Sequence, residues 1–295
     1  MNTTLIDSPF RPVCGIDAFN SSEIEALAKD GYFPRNRLFD RSFPDKFTAE
    51  IERLIAAGIL KPAVDRIENG VPTEWILSLG EVWGHGPGSM PFRESPIMAN
   101  FFHEMQQLAA DYNRLRPLLI STGWVSAEEV PVLSTLGMEL NINKVIGSLD
   151  AQWSGLHMHQ DTHRFTPGLE ALPEESIRHT AIRGRAFTVS GYARPLGPDG
   201  RRRNDAGGAL PFLVRPKSRN PGDRAVFDIV PAFHNTGAFF FPHTTHGVGR
   251  MPATDSVRYS FQAFYPSAEV WSELLPRISA GELREELSPG KLHGV

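Results

Sequence analysis

"VRYSFQAFYP", residues 257–266, is the stretch that decides the fold class. It is short, rich in aromatic side chains and closed by a proline, which reads as a β-strand. On a strand, residues two apart share a face, so Arg258 and Ser260 point the same way out of an aromatic run. Surroundings this apolar would largely bury Arg258, and a buried arginine needs an anion. Similar short runs lie upstream: "MELNINKVIG" (138–147), "RAFTVSGYARPL" (185–196), "GALPFLVR" (208–215), "AVFDIV" (225–230) and "GAFFFP" (237–242). Gly, Pro, Asn and Asp separate them. Several short strands with turn signals between them predict a sandwich, barrel or jelly roll.

The first half reads differently. "SSEIEALAKDGYF" (21–33), with Ser21 or Ser22 as N-cap, "DKFTAEIERLIAAGIL" (45–60) and "SPIMANFFHEMQQLAADYNRL" (95–115) carry apolar residues at helical spacing. "GHGPGSMPFRESP" (84–96) is a Gly/Pro-rich loop between helices, and "SAEVWSELLPRI" (267–278) predicts a closing helix. The expected organisation is one catalytic domain over 1–295. A mostly helical region, 1–136, braces a β core, 137–266, followed by a C-terminal helix and tail, 267–295.

Composition narrows the function. The chain has 295 residues, 41% of them hydrophobic and 22% charged, as in ordinary globular proteins. A net charge of −4 supplies no basic field for nucleic acid or an anionic membrane. Cys14 is the single cysteine, which rules out a disulfide framework and a thiolate zinc or iron–sulfur site. No secretory signal pattern and no apolar run of about 18 residues is present, so a cytoplasmic location is expected.

The chemistry concentrates in "GLHMHQDTHR" (155–164). If the strand period holds, His157, His159 and Asp161 share one face. Another ligand could come from "FFFPHTTHGVGR" (239–250), as His243 or His246. Two histidines and one carboxylate on one face of a metal form the facial triad of non-haem Fe(II) oxygenases, which leaves positions open for a cosubstrate and O2. For Arg258, a guanidinium fork with the Ser260 hydroxyl beside it suits a terminal carboxylate. "GPDGRRRNDAGG" (197–208) is a turn with three arginines, either a solvated hairpin or a flap over the site.

In this order, His159-x-Asp161, then His246, then Arg258-x-Ser260, the sequence resembles the Fe(II)/2-oxoglutarate-dependent dioxygenases, and "HQD" resembles their phytanoyl-CoA dioxygenase-like branch. The likeness covers roughly residues 137–266. It implies a double-stranded β-helix (jelly-roll, cupin-like) core with N-terminal α-helices. It implies that His159, Asp161 and His246 bind Fe(II), His159 rather than His157 because His-x-Asp is the family spacing. His246 is preferred to His243 because "GV" follows it and its distance to Arg258 fits. Arg258 and Ser260 are then expected to bind the 5-carboxylate of 2-oxoglutarate. Asn143, which shares a face with Asn141 on the strand before the metal motif, is a candidate contact for the cosubstrate or the substrate. The implied reaction consumes O2, releases succinate and CO2, and by default hydroxylates a C–H bond of a small-molecule substrate. His157, His163, His243 and Trp153 are candidate substrate-side residues, and Phe239, Phe240 and Tyr192 candidate aromatic walls. The rival readings are a cupin-type metalloenzyme that does not use 2-oxoglutarate and a non-catalytic jelly-roll binding module.

Overall fold

The computed structural model describes residues 19–63, 67–68, 71–76, 95–147, 156–161, 173–197, 199–204, 207–214, 226–251 and 256–282. Thirteen strands appear among them: β1 (Tyr32–Arg35), β2 (Lys61–Pro62), β3 (Ile67–Glu68), β4 (Val71–Pro72), β5 (Glu74–Ile76), β6 (Glu139–Ile146), β7 (Leu156–His159), β8 (Arg185–Ala193), β9 (Leu210–Val214), β10 (Val226–Val230), β11 (Thr236–Phe240), β12 (His246–Val248) and β13 (Val257–Pro266). The helices are α1 (Ser21–Asp30), α2 (Phe43–Ala56), α3 (Pro96–Ser121), α4 (Ile177–Arg183) and α5 (Ala268–Ser279). Among the described residues, no helix is long and apolar enough to cross a membrane.

The major sheet runs β1-β11-β8-β13-β6-β5-β2, and the minor sheet β10-β9-β12-β7. From β6 onward the chain moves back and forth between them, as a double-stranded β-helix requires. Every pairing in both is antiparallel. The outermost strands of the major sheet each contain a proline, Pro34 and Pro62, which cannot donate to a further strand.

Strand parity sorts the side chains of the major sheet. On β13, Tyr259, Phe261, Ala263 and Tyr265 join the hydrophobic cluster beneath the helices. Phe261 meets Phe101 of α3 edge-on, with centroids 4.9 Å apart. Burying one such ring contributes about 1.5–3 kcal/mol. Gly191 of β8 lets the layers approach: a Cβ there would stand 2.2 Å from the Phe261 ring and 2.6 Å from Leu38. The alternate residues, Arg258, Ser260, Gln262 and Phe264, face the minor sheet across the barrel interior. Because both faces of the major sheet are covered, β8 is buried almost throughout.

Three details differ from the sequence reading. Asn20, not Ser21 or Ser22, caps α1, in a capping box with Glu23. Its side chain accepts from the Glu23 N–H, and the Glu23 carboxylate accepts from the Asn20 N–H. Helix α2 ends at Ala56 rather than Leu60, followed by Gly58 with φ 70°. The N-terminal region is also less purely helical than expected. Its strands β1, β2 and β5 extend the major sheet at both edges. Runs of two to four residues are too short to show a period. Residues 84–94 of the expected loop lie outside the described residues.

Candidate functional site

The site begins with a register. His159, the last residue of β7, lies opposite His246, the first residue of β12. Directly paired residues project to the same face, and the two imidazoles stand 4.5 Å apart between centroids. The strand period expected to carry Asp161 stops at His159. Asp161 follows in a turn, where its N–H donates to Pro242 O at 2.7 Å. That bond ties the turn to the segment leading into β12 and turns the carboxylate toward both rings. Asp161 Oδ1 is 3.6 Å from His159 Nε2 and 3.7 Å from His246 Nε2. Two donors on one ion at about 2.1 Å each lie at most about 4.2 Å apart, so each pair can share an ion. One ligand atom from each of the three residues lies within 4.8 Å of the others, and all three residues are buried.

Neighbouring groups prepare these atoms. His246 Nδ1 lies 3.0 Å from Thr244 O. A carbonyl accepts only from N–H, so Nδ1 carries the proton and Nε2 keeps its lone pair for the site. Burial pushes His246 below its ordinary value, so its neutral form prevails at neutral pH. Burial works to raise the Asp161 carboxyl, but His246, His159 and Arg185 outweigh it and hold the group below the usual carboxylate range. The forms present at neutral pH are therefore those a metal ion requires. The other carboxylate oxygen, Oδ2, accepts from Thr188 Oγ1 at 2.9 Å. Arg185 donates to Asp161 O at 3.4 Å while it forks onto Glu139 and lies over the Phe264 ring.

Arg258 lies across the interior on β13, opposite Val145 of β6. It is 6% exposed, Nη1 donates to Gly208 O at 3.0 Å, and Nε has no hydrogen-bond partner. Among the described residues no carboxylate forms an ion pair with it. Two other buried arginines differ: Arg35 pairs with Glu23 and Arg185 with Glu139. Arg194 donates to Ala232 O and Gly207 O. Arg194 and Arg258 thereby hold consecutive carbonyls of the Gly207–Gly208 turn, where both glycines have positive φ. A buried arginine with no carboxylate ion pair among the described residues, its donors only partly used, suits an anionic ligand.

Ser260 donates to Asn143 Oδ1 at 2.5 Å, and Asn143 Nδ2 donates to Glu74 Oε1 at 3.2 Å. Asn143 thus aligns the hydroxyl beside Arg258. His243 sits in the turn before β12 and stacks on Phe241 at 5.4 Å, outside the three-residue cluster. His157 is on β7, but its side chain, like all of His163 and Trp153, lies outside the described residues. Phe240 and Tyr192 belong to the inner cluster with Phe212. Phe239 has the opposite parity and stacks on Phe33 beneath the helices, so it is no wall of the site. In the arginine-rich turn, Arg202 is bound to Asp45 of α2 and to Arg194 O, an anchored arrangement rather than a free flap.

Sequence reasoning missed Thr188, Arg185, Glu139 and Gly208. For Thr188 a signal existed, since it is a polar residue of inward parity in a strand otherwise fit for the core. Its partner is 27 residues away and had no local signature.

No protein-family model matches the chain, and no curated protein matches it in sequence. Among solved structures, it is similar to prolyl 4-hydroxylases from Phytophthora capsici, with a TM-score of 0.51 and 15% identity over 85% of this chain and 63% of that one. It is also similar to SnoK, described as a non-heme alpha ketoglutarate dependent carbocyclase from nogalamycin biosynthesis. There the TM-score is 0.50 and the identity 11%, over 86% of this chain and 87% of that one. At these identities the likeness is one of fold, and neither match singles out the phytanoyl-CoA branch. The chain thus has a jelly-roll core whose structural neighbours are enzymes of the Fe(II)/2-oxoglutarate class.

Proposed function

We propose that this chain is an Fe(II)- and 2-oxoglutarate-dependent oxygenase that hydroxylates an unactivated C–H bond of a small molecule. One pairing supports the reading above all. A buried His-Asp-His cluster with donor atoms within 4.8 Å faces a sheet that carries a buried arginine with no carboxylate partner among the described residues. The first is a divalent-metal donor set of the facial-triad type. The second is a carboxylate receptor. A cupin metalloenzyme without an anionic cosubstrate would need only the contact of Arg258 to Gly208 and would leave its Nε–H unused.

In this reading His159, Asp161 and His246 hold Fe(II). Bound there, iron and 2-oxoglutarate supply the activation of O2, with succinate and CO2 as co-products. Arg258 takes the far carboxylate of 2-oxoglutarate with its unengaged N–H groups. The Ser260 hydroxyl, held by Asn143 when no ligand is bound, turns to the same carboxylate. Thr188 keeps the Asp161 carboxylate aimed at the two imidazoles. Phe212 and Phe240 pack around His246 and keep water from its ring.

The test is an anaerobic titration of the Fe(II)-loaded protein with 2-oxoglutarate, followed by its weak metal-to-ligand charge-transfer band. Admission of O2 with a panel of small molecules, read by succinate release, completes it. Saturable binding that Asp161→Ala abolishes is the expected result. Metal binding with no response to 2-oxoglutarate would return the chain to the plain cupin reading. Failure to bind metal would leave a binding module.

A further inference from the structure

The arginine-rich turn after β8 has no part in the chemistry proposed above, yet one titratable side chain fastens it at both ends. His234 is half-buried between β10 and β11. Its ring Nδ1 accepts from the Arg194 N–H at 3.2 Å, and its own N–H donates to Asn204 Oδ1 at 3.0 Å. Between those ends, Arg202 donates to Arg194 O and pairs with Asp45 of α2 at 2.7 Å. The Gly197, Gly200 and Asn204 N–H groups bond within the turn, to Arg201 O, Gly197 O and Arg202 O, and attach it to nothing else.

The His234 contact works in one protonation state. A main-chain N–H donates only to a nitrogen with a free lone pair, so Nδ1 is unprotonated and the ring proton sits on Nε2. A second proton must go to Nδ1. There it meets the Arg194 N–H, donor against donor, and makes the ring a cation. Among the described residues two charged side chains act on the ring, Arg202 of the turn and Asp45 of α2. Burial first, and then the Arg202 guanidinium, hold the ring below its ordinary value against the pull of Asp45. The neutral ring is therefore the form at neutral pH. Because the folded value is the lower one, the stability that this group contributes is complete above the ordinary value of about 6.5 and is lost as pH falls from there through the folded value.

Arg194 carries the consequence inward. Its guanidinium holds Gly207 O at 2.5 Å, and Arg258 holds the next carbonyl, Gly208 O, at 3.0 Å. We propose that His234 is a proton-operated latch. Neutral, it fastens the arginine-rich turn and, resting on the function proposed above, keeps Arg258 placed for its anion; protonated, it releases both.

Hydrogen–deuterium exchange of the full chain, read by mass spectrometry over residues 195–204, tests the latch without metal or cosubstrate. Wild type, His234→Asn and His234→Ala are compared at about pH 7.5 and about pH 5.5, one unit either side of the ordinary histidine value. Comparing proteins at one pH cancels the intrinsic exchange chemistry. Asparagine keeps an uncharged acceptor near the Nδ1 position and does not titrate. Loss of a hydrogen bond with added repulsion predicts about fivefold or more faster exchange in wild type than in His234→Asn at the lower pH, and equal exchange at the higher. His234→Ala, which has no acceptor, should exchange fast at both. Equal exchange of wild type and His234→Asn at both pH values would overturn the proposal. So would a His234→Ala turn as protected as wild type at the higher pH, and that comparison decides alone should His234→Asn fail to fold. The Ni(II)-loaded proteins are then titrated with 2-oxoglutarate. Acidification should weaken binding several-fold more in wild type than in His234→Asn, and equal losses would overturn the link to Arg258. Wild type that binds metal but no 2-oxoglutarate at either pH would refute the oxygenase reading and leave the exchange result standing.

Discussion

Replacing Thr188 with valine removes one oxygen from the site and keeps the branched shape of the side chain. Thr188 Oγ1 donates to Asp161 Oδ2 at 2.9 Å, and the two residues are 0% and 3% exposed. No water replaces a donor lost at that depth without room being made for it. A hydrogen bond to a charged group contributes about 1.5–3 kcal/mol. At 1.4 kcal/mol per tenfold, that is roughly a 10–150-fold loss of metal affinity if the whole effect falls on the bound state. Loss of groups that orient metal ligands typically costs about 10–100-fold, a range that agrees. The reason is geometric: Oδ1 faces both Nε2 atoms only while Oδ2 is held from behind. A competition titration of Ni(II) or Fe(II) against a coloured chelator measures the effect. Thr188→Ser, which restores the donor, should recover most of it. Wild-type metal affinity in a folded Thr188→Val protein would refute the assignment of Thr188 as the group that aims Asp161.

Arg258→Ala should weaken 2-oxoglutarate binding on the order of 100-fold or more, because a carboxylate loses several charge-assisted bonds at a buried site. Arg258→Lys should recover only part of this, since an ammonium cannot reproduce the planar fork; calorimetric titration of the Ni(II)-loaded proteins measures both. Gly208→Ala places a Cβ 2.6 Å from Arg258 Nη1 at a residue with φ 78°. Left-handed backbone costs a non-glycine residue about 1–2 kcal/mol, so stability to urea should fall by about that amount, and 2-oxoglutarate affinity should fall as well because the guanidinium is displaced. Asn20→Ala removes the acceptor of the α1 capping box and should lower stability by about 1 kcal/mol with no effect on metal binding. Equal urea midpoints for Asn20→Ala and wild type would show that the box contributes nothing.

How much was legible depended on whether a feature is periodic or paired. Strand character and parity in 257–266 are properties of the segment alone. Tyr259, Phe261 and Tyr265 on one parity and Arg258, Ser260 and Gln262 on the other already imply a buried strand with a largely polar inner face. The types His, Asp, His and Arg, and their order, were equally plain. Short elements were not. Strand β1, four residues between Gly31 and a loop, carries no period, and the cap of α1 sat one residue before the serines that advertise caps. Phe239 and Phe240 are adjacent and alike in type, yet β11 sends one beneath the helices and the other inside.

What only the tertiary structure decided is who meets whom. The register of β7 against β12 puts His246, rather than His243, opposite His159. The turn after β7, fastened to Pro242, brings Asp161 back to both rings although the strand has ended. Thr188 reaches Asp161 across 27 residues and Arg258 reaches Gly208 across 50. Local sequence specifies residue type and period because those follow from the backbone of one segment. Contacts between segments follow from strand register and loop closure, set by the packing of both sheets at once, and no single stretch of the chain contains them.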